Sequence, residues 1–160
     1  MLTMTQPIQK NSIVMASFIQ ISETKKIRIV TIIKYACLFL FAYTAYSKVI
    51  DHTRFLNGLR NVHLISPISN VIAIMVPVIE IVVSILLIIP RTMKIGLIGF
   101  CITMIVFTLY IISAIIWEPE LPCHCGGAIE KLTWMQHIWF NLAFIFLAIL
   151  AIRLSKFSNY

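Results

Sequence analysis

The chain has 160 residues, 60% of them hydrophobic and only 12% charged, with a mean hydropathy of +0.96. An average soluble domain is about 45–50% apolar, so this composition excludes a soluble globular fold and places the chain in a membrane. The net charge of +7 does not indicate a nucleic-acid binder, because the basic residues sit at the ends of apolar runs, where the positive-inside rule expects them.

Four runs are long enough to cross a hydrocarbon core of about 30 Å as helix: approximately 29–50, 68–89, 95–117 and 132–152. The predicted fold is therefore all-α, an integral membrane four-helix bundle over residues 29–152, with short tails at 1–28 and 153–160. Lys25, Lys26 and Arg28 precede the first run, Arg91 and Lys94 fill the turn between the second and third, and Arg153 and Lys156 follow the fourth. On the opposite side Lys48, Arg54, Arg60 and Lys131 are diluted by Asp51, Glu118, Glu120 and Glu130. The asymmetry predicts an N-in/C-in topology. It also places the connection between the third and fourth helices outside the cytoplasm, on the periplasmic side of a bacterial inner membrane. Residues 1–28 lack the apolar stretch and cleavage site of a secretory signal, so the first membrane helix is expected to act as an uncleaved insertion signal.

The first predicted helix ends in Tyr43-Thr44-Ala45-Tyr46-Ser47-Lys48 and runs into Asp51, His52, Arg54 and Phe55. Interface anchoring by aromatic rings and a snorkelling lysine accounts for much of this cluster; the functional alternative is that Lys48 or Asp51 faces an outer vestibule. Residues 57–70, with Gly58 and Pro67, read as the first outer connection. The second helix carries Pro77 and Glu80 at mid-depth. A carboxyl there costs on the order of 3 kcal/mol to insert, so Glu80 is expected to face the bundle interior, protonated or paired. Pro90 ends this helix, and the short turn that follows forces the third to pack antiparallel beside it. Gly96 and Gly99 on the third helix permit close packing. Thr133 reads as the N-cap of the fourth helix, with Trp134, His137 and Asn141 falling along one face. His137 and Asn141 form either an inward polar path or helix-to-helix hydrogen bonds.

Between the third and fourth helices stands Pro122-Cys123-His124-Cys125-Gly126-Gly127. Two thiols, an imidazole and a flexible Gly pair concentrate reactive groups there as nowhere else in the chain. The thiolate is the nucleophilic form of cysteine, and a neighbouring imidazolium promotes it. Outside the cytoplasm such a pair meets oxidising conditions. An internal Cys123–Cys125 bridge would close a very tight ring whose strain makes it oxidising towards other thiols; a mixed disulfide with a partner is the other redox use. Metal is a weaker fit, because adjacent ligands chelate poorly as a tetrahedral set even with His137 in reach. Cys37 and Cys101 lie about 9–12 Å in from the opposite ends of their helices at 1.5 Å per residue, too far for exchange with the loop. They read as apolar filler, and helix adjacency decides whether they can bridge.

Tyr46-Ser47-Lys48 with Asp51 and Phe55, then Pro77-x-x-Glu80, then Cys123-His124-Cys125-Gly126-Gly127 and Asn141, resemble in order and spacing the MauE family of four-helix membrane proteins, part of the wider DoxX-like group. The family's loop usually reads Cys-Gly-Cys-Phe-Gly; here His124 stands where the first glycine would be, and Gly126 follows Cys125 directly. Phe140 occupies the place before Asn141 where the family often has arginine. The resemblance implies redox-associated work outside the cytoplasm alongside a thioredoxin-like partner, as in the maturation of methylamine dehydrogenase, a disulfide-rich client. On this reading Cys123 and Cys125 exchange disulfides with a partner, His124 tunes the thiolate, and Glu80, His137, Asn141, Lys48 and Tyr46 form the polar path. A quinone acceptor is compatible with that chemistry, although no motif marks a cofactor. The competing readings are a non-catalytic scaffold for a thioredoxin-like protein and a small transporter or metal handler working through Glu80.

Overall fold

The computed structural model describes residues 23–62, 65–117 and 133–156. Within them α1 spans Glu23–Ile50, α2 His52–Arg60, α3 Ser69–Ile88, α4 Met93–Trp117 and α5 Trp134–Lys156, with short 3₁₀ turns at Ser66–Ile68 and Pro90–Thr92. The four long helices are each apolar and long enough to cross a bilayer, which makes this a multi-pass membrane protein. Helix is forced on these runs, since hydrocarbon offers no partner for a free backbone N–H or C=O.

Consecutive long helices are neighbours in space: α1 packs on α3, α3 on α4, α4 on α5, and α5 closes the ring against α1. This is the up-and-down arrangement that short connections favour. The turn end of the bundle holds the start of α1, the α3–α4 connection and the end of α5. Its core is built from Val30, Ile33, Cys37 and Phe41 of α1, Val83 and Leu87 of α3, Leu97, Phe100 and Cys101 of α4, and Ala148 and Ala151 of α5. Phe100 is its centre, with ring centroids 4.3 Å from Phe41 and 6.2 Å from Phe144. Lipid-facing positions such as Ile74, Val78, Ile102 and Leu109 remain exposed and apolar, as a bilayer requires.

The α3–α4 turn is set by local chemistry. Ile89 is extended at φ −75°, ψ 120°, the conformation the following Pro90 imposes on it, and the Thr92 hydroxyl donates to the Leu86 carbonyl at 3.0 Å, satisfying an orphan acceptor at the end of α3. Gly96 then brings α4 against α3 so tightly that a Cβ there would lie 2.9 Å from Leu87 N and 3.0 Å from the Leu86 carbonyl carbon.

At the other end, the α2 end, the sequence reading needs correction. Residues 52–60, expected as an interfacial cluster running into a loop, form α2, and Gly58 does not break it. Phe55 and Leu59, one turn apart, are buried against Ala73 of α3, with Ile72 and Val76 beside them. That apolar face supplies more stabilisation than the roughly 1 kcal/mol that a helical glycine costs. Arg60 donates to Asn70 Oδ1 at 3.1 Å, tying the end of α2 to the start of α3. The first long helix also begins earlier than its apolar run, because Lys25, Lys26 and Arg28 are helix formers that continue it beyond the hydrocarbon.

Candidate functional site

Just inside the α2 end the four long helices and α2 line a cavity of about 430 Å³. Its walls are mostly apolar, including Phe55, Val76, Ile79, Phe107 and Ile111, and its polar side chains are Thr44 and Lys48 from α1, Glu80 from α3, Tyr110 from α4, His137 and Asn141 from α5, and Asn61 just beyond α2. Glu80 is 0% exposed, Lys48 7%, His137 5% and Asn141 7%.

Lys48 and Glu80 make the strongest contact in the site. Lys48 Nζ donates to Glu80 Oε1 at 2.6 Å, within the range of charge-assisted hydrogen bonds, and Thr44 Oγ1 lies 3.1 Å from the same oxygen. The pairing follows from helix direction. Side chains lean towards the N-terminus of their own helix. Near the C-terminus of α1, Lys48 therefore leans down into the bundle, while Glu80 on the antiparallel α3 leans up to meet it. Lys48 does not snorkel to the headgroups; its ammonium also sits 5.6 Å from the Phe107 ring centroid and 5.7 Å from that of Phe55, where ring faces add modest attraction for a cation. Pro77 and Glu80 share the buried face of α3 with Ser69, Ala73, Val83, Ser84 and Leu87.

His137 and Asn141 enter from α5, one turn apart. The helix start is fixed by reciprocal capping: Gln136 N donates to Thr133 Oγ1 at 3.4 Å and Thr133 N to Gln136 Oε1 at 2.9 Å, a capping-box arrangement. Two buried polar atoms in this site have no hydrogen-bond partner among the described residues: Glu80 Oε2 and His137 Nε2. Both residues line the cavity, and unsatisfied buried atoms of this kind each cost about 1–3 kcal/mol. Such atoms call for a ligand or ordered water.

Of the residues singled out in the sequence, Glu80, Lys48, His137 and Asn141 come together from three helices around one cavity. Tyr46 does not join them; it is 65% exposed and faces away. Asp51 is exposed and pairs loosely with Arg54 at 3.9 Å. Thr44, Phe107 and Tyr110, which the sequence reading did not place in the path, also line the cavity. Thr44 had a findable signal, since it lies one turn from Lys48 on the same face of α1. Cys37 and Cys101 are free and buried in one apolar cluster at the turn end. Cys123, His124 and Cys125 lie outside the described residues. Their segment leaves from Trp117 and returns at Thr133, so both its attachment points are at the α2 end, the end that holds the cavity.

No curated protein and no solved structure matches the chain. A family model described as "Methylamine utilisation protein MauE" matches residues 26–154, a span that takes in all four membrane helices, the polar cavity and the Cys-His-Cys segment. The chain belongs to the MauE family of membrane proteins.

Proposed function

We propose that this protein is a membrane thiol-disulfide exchange component that assists disulfide formation in an extracytoplasmic client, working through Cys123 and Cys125 with a thioredoxin-like protein as partner. In the oxidising direction a partner thiolate attacks the Cys123–Cys125 disulfide, forming a mixed disulfide and releasing one loop thiolate. The partner's second thiolate then attacks its own sulfur in the mixed bond. The partner leaves oxidised and the loop leaves as a dithiol, so two electrons and two protons pass from partner to loop. His124, between the two sulfurs in sequence, favours the thiolate form. The orientation is N-in/C-in, with the loop on the periplasmic side of a bacterial inner membrane.

The observation that carries this reading is the buried Lys48–Glu80 pair with His137 and Asn141 at the end of the bundle to which the Cys-His-Cys segment is attached. A membrane bundle retains such expensive groups where they serve chemistry, and the thiols are the reactive groups nearest in the chain to that end. The family description names methylamine utilisation, which supports a disulfide-rich dehydrogenase as client.

The test is mass-shift alkylation of the purified protein after equilibration with reduced or oxidised dithiothreitol. Cys123 and Cys125 should change together, by two alkyl groups, while a Cys125→Ser chain should accumulate a mixed disulfide through Cys123. Thiols that stay reduced and unreactive throughout would remove the exchange reading.

A further inference from the structure

We infer that the cavity between the four helices is a binding site for the ring of a lipid-soluble quinone. Four observations constrain its ligand. The space is about 430 Å³, within the range of small-molecule sites. It runs from Glu80 and Met104, inside the membrane spans, out to Asn61 and Val62 beyond α2, so a ligand can lie along one end of the bundle. Its walls are aromatic and aliphatic, so the ligand's body is apolar. The ions it contains, Lys48 and Glu80, already neutralise each other at 2.6 Å, so a neutral ligand suits it better than an ion.

The polar chemistry narrows the class further. Glu80 Oε2 and His137 Nε2 are buried, line the cavity and lack partners among the described residues. Glu80, ion-paired with Lys48, presents Oε2 as an acceptor, whereas His137 Nε2 either donates or accepts according to tautomer. A ligand that satisfies both needs a hydroxyl that donates to Glu80 Oε2 and a second oxygen that meets His137 Nε2, which is the pair of groups on the reduced ring. Quinone carbonyls accept hydrogen bonds, and the hydroxyls of the reduced ring donate them. A fatty acid or phospholipid headgroup offers charge instead, and a sterol offers one hydroxyl.

The assignment of a redox partner rests on the thiol-exchange reading; the binding site itself does not. A loop dithiol left by one round of exchange must lose two electrons before another. As the Cys123–Cys125 bond forms, the two sulfurs release two electrons and two protons. The quinone takes up both, its two C=O groups becoming C–OH. Glu80 Oε2 accepts a hydrogen bond from one hydroxyl of the reduced ring and His137 Nε2 meets the other oxygen, the two side chains being positioned by Lys48 and by the first turns of α5.

The experiment uses the full-length protein in detergent and a decyl-substituted dimethoxybenzoquinone. Binding is read by competition against a photoreactive azido derivative, with the cross-linked peptide mapped by mass spectrometry. Label is expected on cavity positions of α3 and α5, and His137→Phe should weaken competition about tenfold, the loss of one buried hydrogen bond. Val76→Trp, which adds bulk at an apolar lining position, should abolish it; helical circular dichroism and elution volume report whether each variant folds. Competition unchanged in both variants, label confined to lipid-facing Ile74, Val78 or Ile102, or no saturable binding would overturn the site. In a separate anaerobic reaction the prereduced native protein should convert the quinone to its quinol with loss of two titratable thiols. Saturable binding without that reaction leaves the site standing and removes the quinone as the loop's electron acceptor, while the thiol-exchange reading is decided by the alkylation test.

Discussion

Lys48 and Glu80 show how a costly residue is held in a bilayer. A lone carboxylate or ammonium at this depth is expensive; together, at 2.6 Å and with the Thr44 hydroxyl at hand, they are tolerated, and removing one partner leaves the other buried and uncompensated. Lys48→Met should therefore destabilise the protein by about 3–5 kcal/mol, whereas the double variant Lys48→Met/Glu80→Leu should recover most of that loss, because a packed apolar pair substitutes well for a buried ion pair. Reversible unfolding in mixed micelles measures both, and a double variant no more stable than the single one would show that the pair is not the source. The inward position of Glu80 was legible from sequence alone, since a mid-span carboxyl has nowhere else to go. Its partner was not. Lys48 stands near the end of an apolar run, where snorkelling and inward pairing give the same sequence signal, and only the opposed lean of antiparallel helices separates them.

At the level of elements, the long helices were readable because hydrocarbon leaves the backbone no alternative. α2 was harder to read. Gly58 and the surrounding polar residues resemble a connection, and the helix is revealed only by Phe55 and Leu59 meeting Ala73 in the folded chain. The glycines of α4 were readable as contact residues, but the sequence does not rank them. Gly96 faces backbone atoms of α3, whereas Gly99 would meet only the Val83 Cγ2 methyl at 3.2 Å, which a small rotamer shift relieves. Gly96→Ala should thus cost about 1–3 kcal/mol through forced separation of α3 and α4. Gly99→Ala should be close to neutral, its packing cost offset by the roughly 1 kcal/mol gain in helix propensity. Thermal midpoints of the two variants in the same detergent test the order; equal losses would contradict the close approach at the turn.

For the molecule as a whole, the two ends of the bundle are built for different tasks. The turn end is filled with phenylalanines, leucines, alanines and two free thiols packed as hydrophobic residues. The α2 end is hollow and holds Thr44, Lys48, Glu80, His137 and Asn141. That division explains why the four cysteines form two unrelated sets: Cys37 and Cys101 are part of the filled half, while Cys123 and Cys125 belong to the segment joined at the hollow one. The most direct test uses intact cells treated with a membrane-impermeant maleimide, with and without prior exposure to an impermeant reductant. Cys123 and Cys125 should take up two labels only after reduction, and Cys37 and Cys101 none until the protein is unfolded in detergent. Labelling of Cys123 and Cys125 only after the membrane is broken, or full labelling without any reductant, would contradict the account.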